Sequence, residues 1–245
     1  MKTLIVLLTA LASYGQSGAV PPKYDVASIK PNTDTDFRFA FRIEPGGALA
    51  ATGITLQRLM MTAYNVQNFR IVGGPDWLTT RRWDIQAHAD HPASQAQIRP
   101  MLRALLETRF QLHSHSEVRQ LPVFELSVDH KGSKVPRVKD PETKADVRVG
   151  AASMELTKAT AATFASQLSY ALNRPVIDKT NFSGEFNFAL KWTPEPSETT
   201  DQPASAPNGP SIFTAITEQL GLRLKAEHGP VEVIVIDDVQ LPLAD

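Results

Sequence analysis

Three groups of side chains have the types and spacing that catalysis or metal binding would use. His88, Asp90 and His91 form a compact H-x-D-H cluster, and imidazole and carboxylate together suit a divalent transition metal. The cluster lies in a polar link beside Pro92. It lacks the i, i+4 spacing by which a helix holds two ligands, and no third donor is evident, so a solvated link is the favoured reading. His113 and His115 share one face of an expected strand, as paired ligands would. Asp237 and Asp238 are adjacent at the end of the last expected strand. Neighbours on a strand point to opposite faces, which sets these two against joint acid/base work.

The turn Gly73-Gly74-Pro75-Asp76-Trp77-Leu78 is the most distinctive local feature. Glycines let a ligand approach the backbone and a tryptophan can stack on it, so Gly74, Asp76 and Trp77 are the expected binding residues. The competing reading, which ordinary tryptophan burial favours, has Trp77 and Leu78 anchoring the loop on the core. No catalytic residue, metal or cofactor is expected. G-x-S-x-G, S-x-x-K, a Walker loop and the dinucleotide fingerprint are all missing from the sequence. With no cysteine, thiol nucleophiles and Cys-based zinc sites are excluded.

Bulk electrostatics imply no nucleic-acid partner, because 25 Lys and Arg nearly balance 26 Asp and Glu. Lys2, the apolar run Thr3 to Ala12 and the small residues Ser17, Gly18 and Ala19 read as a signal peptide over 1–19. The apolar run is short for a membrane span and is followed by Pro21 and Pro22, so no stable anchor is expected after cleavage. Export to the periplasm or the medium follows, and the chain must stabilise itself there without disulfides.

The elements that must position these residues come in an order that repeats. Alternation predicts strands at Tyr24 to Lys30 and around Phe37, Phe39, Phe41 and Ile43, the latter as a buried sheet face. A strand at Ala48 to Ile54 leads, with Thr55 as N-cap, into a helix Leu56 to Val66. A strand resumes at Trp83 to Ala87, and a second helix is expected to begin near Pro100, which has no amide to donate. Two strands, Phe110 to His115 and Leu121 to Val128, close this half. The second half retraces it with a strand Ser153 to Ala159, N-cap Thr160, helix Ala161 to Asn173, strand Phe186 to Trp192, helix Ile212 to Leu220 and a hairpin Leu222 to Val239.

The apolar residues Leu102, Leu105, Leu106 and Phe110 recur as Ile212, Ala215, Ile216 and Leu220, and His113 and His115 correspond to Arg223 and Lys225. The fold class is therefore α+β, with two related β-α-β-α-β-β halves over 20–130 and 151–245 and helices packed on small mixed sheets. Residues 131–150 read as a polar linker and 194–210 as a low-complexity loop. The first two strands have no counterpart in the second half.

The runs YDVASIKPN, FRIEPGGALAATGITL, GGPDWL, RPVIDKTNFSGEFNF and GPSIFTAITEQLGLRLKAEHGPVEVIVIDDVQLP resemble a family of exported proteins of unknown function expanded into many paralogues in soil Acidobacteria. That resemblance implies an envelope or secreted protein, and related domains can be attached to membrane-embedded sensor peptidases of the BlaR type. The element order is also similar to the short N-terminal domains of secretins and TonB-dependent transducers, which act as protein-interaction modules. The expected function is a non-catalytic, exported binding or protein-interaction module with an envelope protein as its partner. The alternative is a secreted hydrolase with its site between the halves.

Overall fold

The computed structural model describes residues 23–35, 38–89, 91–140, 142–194 and 209–242. The expected signal peptide, Phe37, Asp90 and most of the 194–210 loop lie outside the described residues. In chain order the elements are β1 (Tyr24–Pro31), β2 (Ala40–Ile43), β3 (Leu49–Thr55), α1 (Leu56–Tyr64), β4 (Ile71–Val72), α2 (Trp77–Thr80), β5 (Arg82–Ala89), α3 (Gln95–Arg109), β6 (His113–Val128), β7 (Asp146–Val149), β8 (Ser153–Ala159), α4 (Ala161–Ala171), β9 (Val176–Asp178), β10 (Phe186–Lys191), α5 (Ile212–Ala215) and β11 (Leu222–Asp238). The chain is α+β. It forms two compact units, one of residues 1–64, 79–111 and 241–245, the other of residues 65–78 and 112–240.

The first unit carries an antiparallel sheet in the order β1-β5-β3-β2, and α1 and α3 pack on each other. Leu56, Leu59, Met60 and Ala63 are buried along α1, as their spacing predicts. Thr55 caps that helix, its Oγ1 accepting the Arg58 N–H at 3.4 Å. Trp83 meets Phe110 edge-on, with centroids 5.6 Å apart.

Two expectations fail in this unit. α3 starts at Gln95 and runs through Pro100 instead of beginning there. Its start is set by a capping box, in which the Ser94 N–H donates to Gln97 Oε1 at 2.8 Å. Pro100 is exposed, so its ring costs one backbone bond on the solvent side and leaves the buried face of Ile98, Met101 and Leu102 intact. The aromatic alternation around β2 does not make a buried face either. Phe39 lies before the strand and is 45% exposed, with the Arg58 guanidinium 4.2 Å from its ring, because β2 is the sheet's edge.

The second unit holds an antiparallel sheet β10-β8-β7 and a mixed sheet β4-β11-β6-β9. α4, capped by Thr160 Oγ1 accepting the Thr163 N–H at 3.1 Å, buries Phe164, Ala165 and Leu168. These join Met154, Leu156, Phe188, Ile216 and Leu222 in one apolar cluster, where Phe164 and Phe188 stack at 4.4 Å.

The expected hairpins at Phe110 to Val128 and Leu222 to Val239 are each one long strand. β6 and β11 pair with one another, from Leu222↔Val128 to Asp238↔His113. Pro122 and Pro230, expected at turns, lie within this ladder opposite His228 and Gln120. Proline is tolerated in a strand where its nitrogen turns away from the partner, and neither short flanking strand reaches these positions, since β9 covers Phe124 to Leu126 and β4 covers Ile234 to Val235 on β11. Each expected half therefore ends in one long strand in place of a hairpin.

Residues 131–150 also differ from a plain linker. They contain β7, and Arg137 bridges Phe186.

The strand registers recur between the two units in detail. Leu49↔Ala87, Ala51↔Ile85 and Ile54↔Trp83 in the first are matched by Met154↔Leu190, Leu156↔Phe188 and Ala159↔Phe186 in the second. β2 on β3 corresponds to β7 on β8, with Ile43↔Leu49 matched by Val149↔Met154. The expectation that β2 has no counterpart is thus overturned. Even the end of β1 is echoed, since Pro31↔Trp83 corresponds to the bridge Arg137↔Phe186.

Both ladders contain a bulge at one equivalent place. The extra residue is Gly53, φ 61°, in the first unit and Lys158, φ 54°, in the second. Each bulge N–H is held by an equivalent side chain: Gly53 donates to Asp84 Oδ1 at 2.9 Å, and Lys158 donates to Asn187 Oδ1 at 3.0 Å.

Candidate functional site

The expected binding turn is built around close packing. Gly73 and Gly74 both have left-handed φ, 84° and 80°. A Cβ on Gly74 would collide with Leu78 Cδ1 and stand 3.1 Å from Ile236 Cδ1, so the glycine is required by the backbone's approach to β11. Leu78 is buried and anchors the segment. Trp77 is half-buried at the start of α2, and Asp76 is exposed. The structure brings the three expected residues together on one short turn.

His88 is an exposed residue of β5, opposite Val26 in the ladder, and His91 is exposed beyond its end. Among the described residues no group of three His, Asp or Glu could hold a metal ion.

His115 and Asp237 do meet. The imidazole Nδ1 lies 2.9 Å from Asp237 Oδ1, and Nε2 lies 3.4 Å from Glu117 Oε2, while Arg119 pairs with Glu117. The hydrogen bond to Asp237, helped by the one to Glu117, raises the His115 pKa above its ordinary value. Arg119 in turn lowers that of Glu117.

A carboxylate on each ring nitrogen stabilises the imidazolium relative to the neutral ring. No nitrogen is left to act as a base on a third molecule, and the cluster is half exposed. At the positions 110 residues further on, Lys225 and Glu227 form an ion pair. The pattern is a solvated ionic face, as the comparison of His113 and His115 with Arg223 and Lys225 predicts.

A different region has the shape of a ligand site. In the second unit a groove of about 690 Å³ opens beside the turn that follows β7. Its walls are Phe124 from β6, Tyr170 and Leu172 from the end of α4, Trp192 after β10, and Ile212 and Phe213 from α5. Tyr170 is 54% exposed and Phe213 37%, although Phe213 keeps an edge contact with Phe124 at 5.3 Å.

One cation stands in this apolar wall. The Arg174 guanidinium lies 4.3 Å from the Phe124 ring and its Nη2 donates to the Glu227 carbonyl at 3.5 Å. Its Nε is buried without a hydrogen-bond partner. Among the described residues no carboxylate pairs with it. A half-buried guanidinium with an unpartnered Nε attracts an anionic group, and the aromatic faces suit an apolar body.

These residues are not the ones the sequence singles out. A signal for them exists: Tyr170 and Phe213 are large aromatics that fall off the apolar stripes Phe164-Leu168-Leu172 and Ile212-Ala215-Ile216-Leu220. A large apolar residue off the buried face of its helix must be covered by something else or stay wet.

The model of a family described as protein of unknown function, DUF3738, matches residues 57–239. The chain belongs to the DUF3738 family. The match runs from α1 to the end of β11 and includes the groove, the His115 cluster and the glycine turn. No curated protein and no solved structure matches the chain. Among the described residues of this DUF3738 chain, no helix is long and apolar enough to cross a membrane.

Proposed function

We propose that this chain is a non-catalytic binding module of the bacterial envelope, with the aromatic groove of the second unit as its ligand site. The observation that carries the reading is the concentration of exposed aromatic surface, Tyr170 and Phe213, beside Arg174, with which no carboxylate pairs among the described residues. Contiguous exposed apolar surface marks interaction sites. Among the described residues the groove wall contains no His, Asp or Glu, so those residues offer affinity without a general base. The ionic cluster that does contain such groups is spread on an open strand face.

Export is part of the proposal and is supported by the signal-like residues 1–19 and by the resemblance to exported paralogues. The likeness in element order to secretin and TonB short domains favours an envelope protein as partner. Duplication of one α+β half explains the matched registers, the paired bulges and their Asp84 and Asn187 acceptors.

The test uses anilinonaphthalene sulfonate, an aromatic anion, as a fluorescent probe on the purified mature chain. Saturable binding that weakens at least about tenfold in Phe213→Ser supports the reading. Binding indifferent to Phe213→Ser removes it. Turnover of an ester or peptide substrate that is lost in His115→Ala would establish the hydrolase alternative instead.

A further inference from the structure

The β10-β8-β7 sheet of the second unit has one strand fewer than the sheet of the first, and the edge this exposes is partly closed by a side chain. In the first unit β1 runs along the outer edge of β5, from Pro31↔Trp83 to Tyr24↔Ala89. In the second, β10 is itself the edge strand. The counterpart of β1 there is the single bridge Arg137↔Phe186, and toward Lys134 the chain leaves the edge, the Lys134 N–H donating to the Leu220 carbonyl at 2.9 Å.

The register identifies the backbone groups left over. The Trp192 N–H donates to the Ala152 carbonyl at 3.0 Å. Bonds to one neighbour recur at every second residue of an antiparallel ladder, so Phe188 and Leu190 also bond β8, while Asn187, Ala189 and Lys191 face outward. The Asn187 N–H is met by the Pro136 carbonyl at 3.0 Å. At Lys191 the Gln219 amide stands where a neighbouring peptide group would: Oε1 accepts the Lys191 N–H at 2.9 Å, and Nε2 donates to the Lys191 carbonyl at 2.7 Å. Between these two, Ala189 is exposed, and its N–H and carbonyl have no hydrogen-bond partner among the described residues. A cavity of about 320 Å³ adjoins this point, bounded by Lys134, Pro136, Glu155, Ala189 and Gln219.

The turn that presents Gln219 differs from its counterpart. Arg109, which precedes Phe110 as Gln219 precedes Leu220, ends an ordinary α-helix in which the Phe110 N–H donates to the Leu106 carbonyl at 3.0 Å. Ile216–Leu220 is a π-turn instead, with the Gly221 N–H reaching back to the Ile216 carbonyl. Such turns are rare and concentrate at functional sites.

We propose that the β10 edge is a second binding site, which takes an extended peptide segment of a partner protein by strand addition and displaces the Gln219 amide. The segment lies on β10 as β1 lies on β5. Its residues opposite Ala189 and Lys191 take the places of Ser28 and Val26, which lie opposite Gln86 and His88. The first exchanges two backbone bonds with Ala189, and the second takes over the two that Gln219 makes with Lys191. The chemistry of the occupant is indicated by what this edge already holds, a carboxamide at Lys191 and a main-chain carbonyl at Asn187. Ala189, Lys191 and Gln219 do not line the aromatic groove, so the two sites stand or fall separately.

The probe is a fluorescently labelled, end-capped peptide with the sequence of residues 23–30, titrated into the full mature chain by fluorescence anisotropy. It should bind saturably, and Gln219→Ala should tighten it at least about fivefold because the competing internal amide is gone. Two N-methylated peptides read the backbone directly. Methylation at the position of Ser28, whose N–H points at Ala189, should weaken binding at least about tenfold. Methylation at the position of Ala27, whose N–H points away, should change it less than about twofold. Ala189→Pro, tolerated in an edge strand whose N–H faces outward, should abolish peptide binding and leave anilinonaphthalene sulfonate binding unchanged.

Equal effects of the two methylations overturn strand addition, and so does a peptide that binds neither the parent chain nor Gln219→Ala. If the peptide binds only after residues 195–208 are replaced by a glycine-serine linker, that segment is the occupant and the partner is overturned. Self-association of Gln219→Ala that Ala189→Pro abolishes makes a second copy the occupant, with the same consequence. Phe213-dependent binding of anilinonaphthalene sulfonate leaves the groove reading in place in each of these cases.

Discussion

In the first unit the turn after β2 lies beneath the opening turns of α3, while in the second the turn after β7 borders a groove walled by Tyr170, Trp192 and Phe213. The β3–β5 and β8–β10 ladders match in register, in the position of one bulge and in the place of the side chain that holds it, Asp84 in one and Asn187 in the other. The surroundings differ all the same: the first sheet has β1 as a fourth strand, where the second has only the Arg137↔Phe186 bridge. The first unit adds Ile98 and Met101 to its core beside this turn, while among the described residues of the second Tyr170 and Phe213 remain exposed.

Several changes would break or sharpen this comparison. Met101→Ala should have the largest effect, a loss of about 2–5 kcal/mol in chemical denaturation, because Met101 is fully buried in the first unit. It should also create a second, weaker probe site there. The matched acceptors come next. Asp84→Ala removes the partner of both the Gly53 N–H and Asn32 Nδ2 and should cost about 1–3 kcal/mol. Asn187→Ala removes only the Lys158 N–H partner shown for its side chain, and its measured cost should be the smaller of the two.

The bulges predict opposite signs. Lys158→Gly should stabilise by about 1 kcal/mol, since a left-handed φ is strained for lysine. Gly53→Lys should destabilise by more than that, because its Cβ would run into the Arg38 carbonyl.

The smallest effect concerns the ionic faces. His115 is raised by Asp237 and Glu117, so its NMR titration midpoint should lie above about 6.5 and return toward that value in Asp237→Asn. A raised folded pKa contributes stability that is fully present below the unfolded value and is lost as pH rises through the folded one. Stability should therefore decline slightly across that window, and the decline should shrink in high salt because the cluster is half exposed.

Much of the fold is legible in the sequence where periodicity and capping agree. Thr55 and Thr160 mark helix starts that the structure realises, and the stripes Leu56-Leu59-Met60-Ala63 and Phe164-Leu168 are buried. The long strands are not legible, because Pro122 and Pro230 signal a turn locally and only the pairing of β6 with β11 reveals that the chain runs on. The start of α3 is hidden for a similar reason: Pro100 is the louder local signal, and the Ser94 and Gln97 cap outweighs it.

The groove is the least legible feature. Its residues come from β6, α4, the end of β10 and α5, and no spacing in the chain brings Phe124 to Phe213 or Arg174 to Trp192. The glycine turn at Gly74 draws attention because glycines are rare and informative, yet its geometry is explained by the approach to Ile236 and Leu78.

The most direct test grafts the covering of the first unit onto the second, replacing residues 195–211 with the sequence Pro92 to Met101 so that the extended helix runs into Ile212. Probe binding is then measured on the folded chimera. The account predicts that anilinonaphthalene sulfonate binding falls at least about tenfold, because the grafted Ile98 and Met101 occupy the groove. A folded chimera that extends the helix and binds the probe as tightly as the parent chain would contradict it.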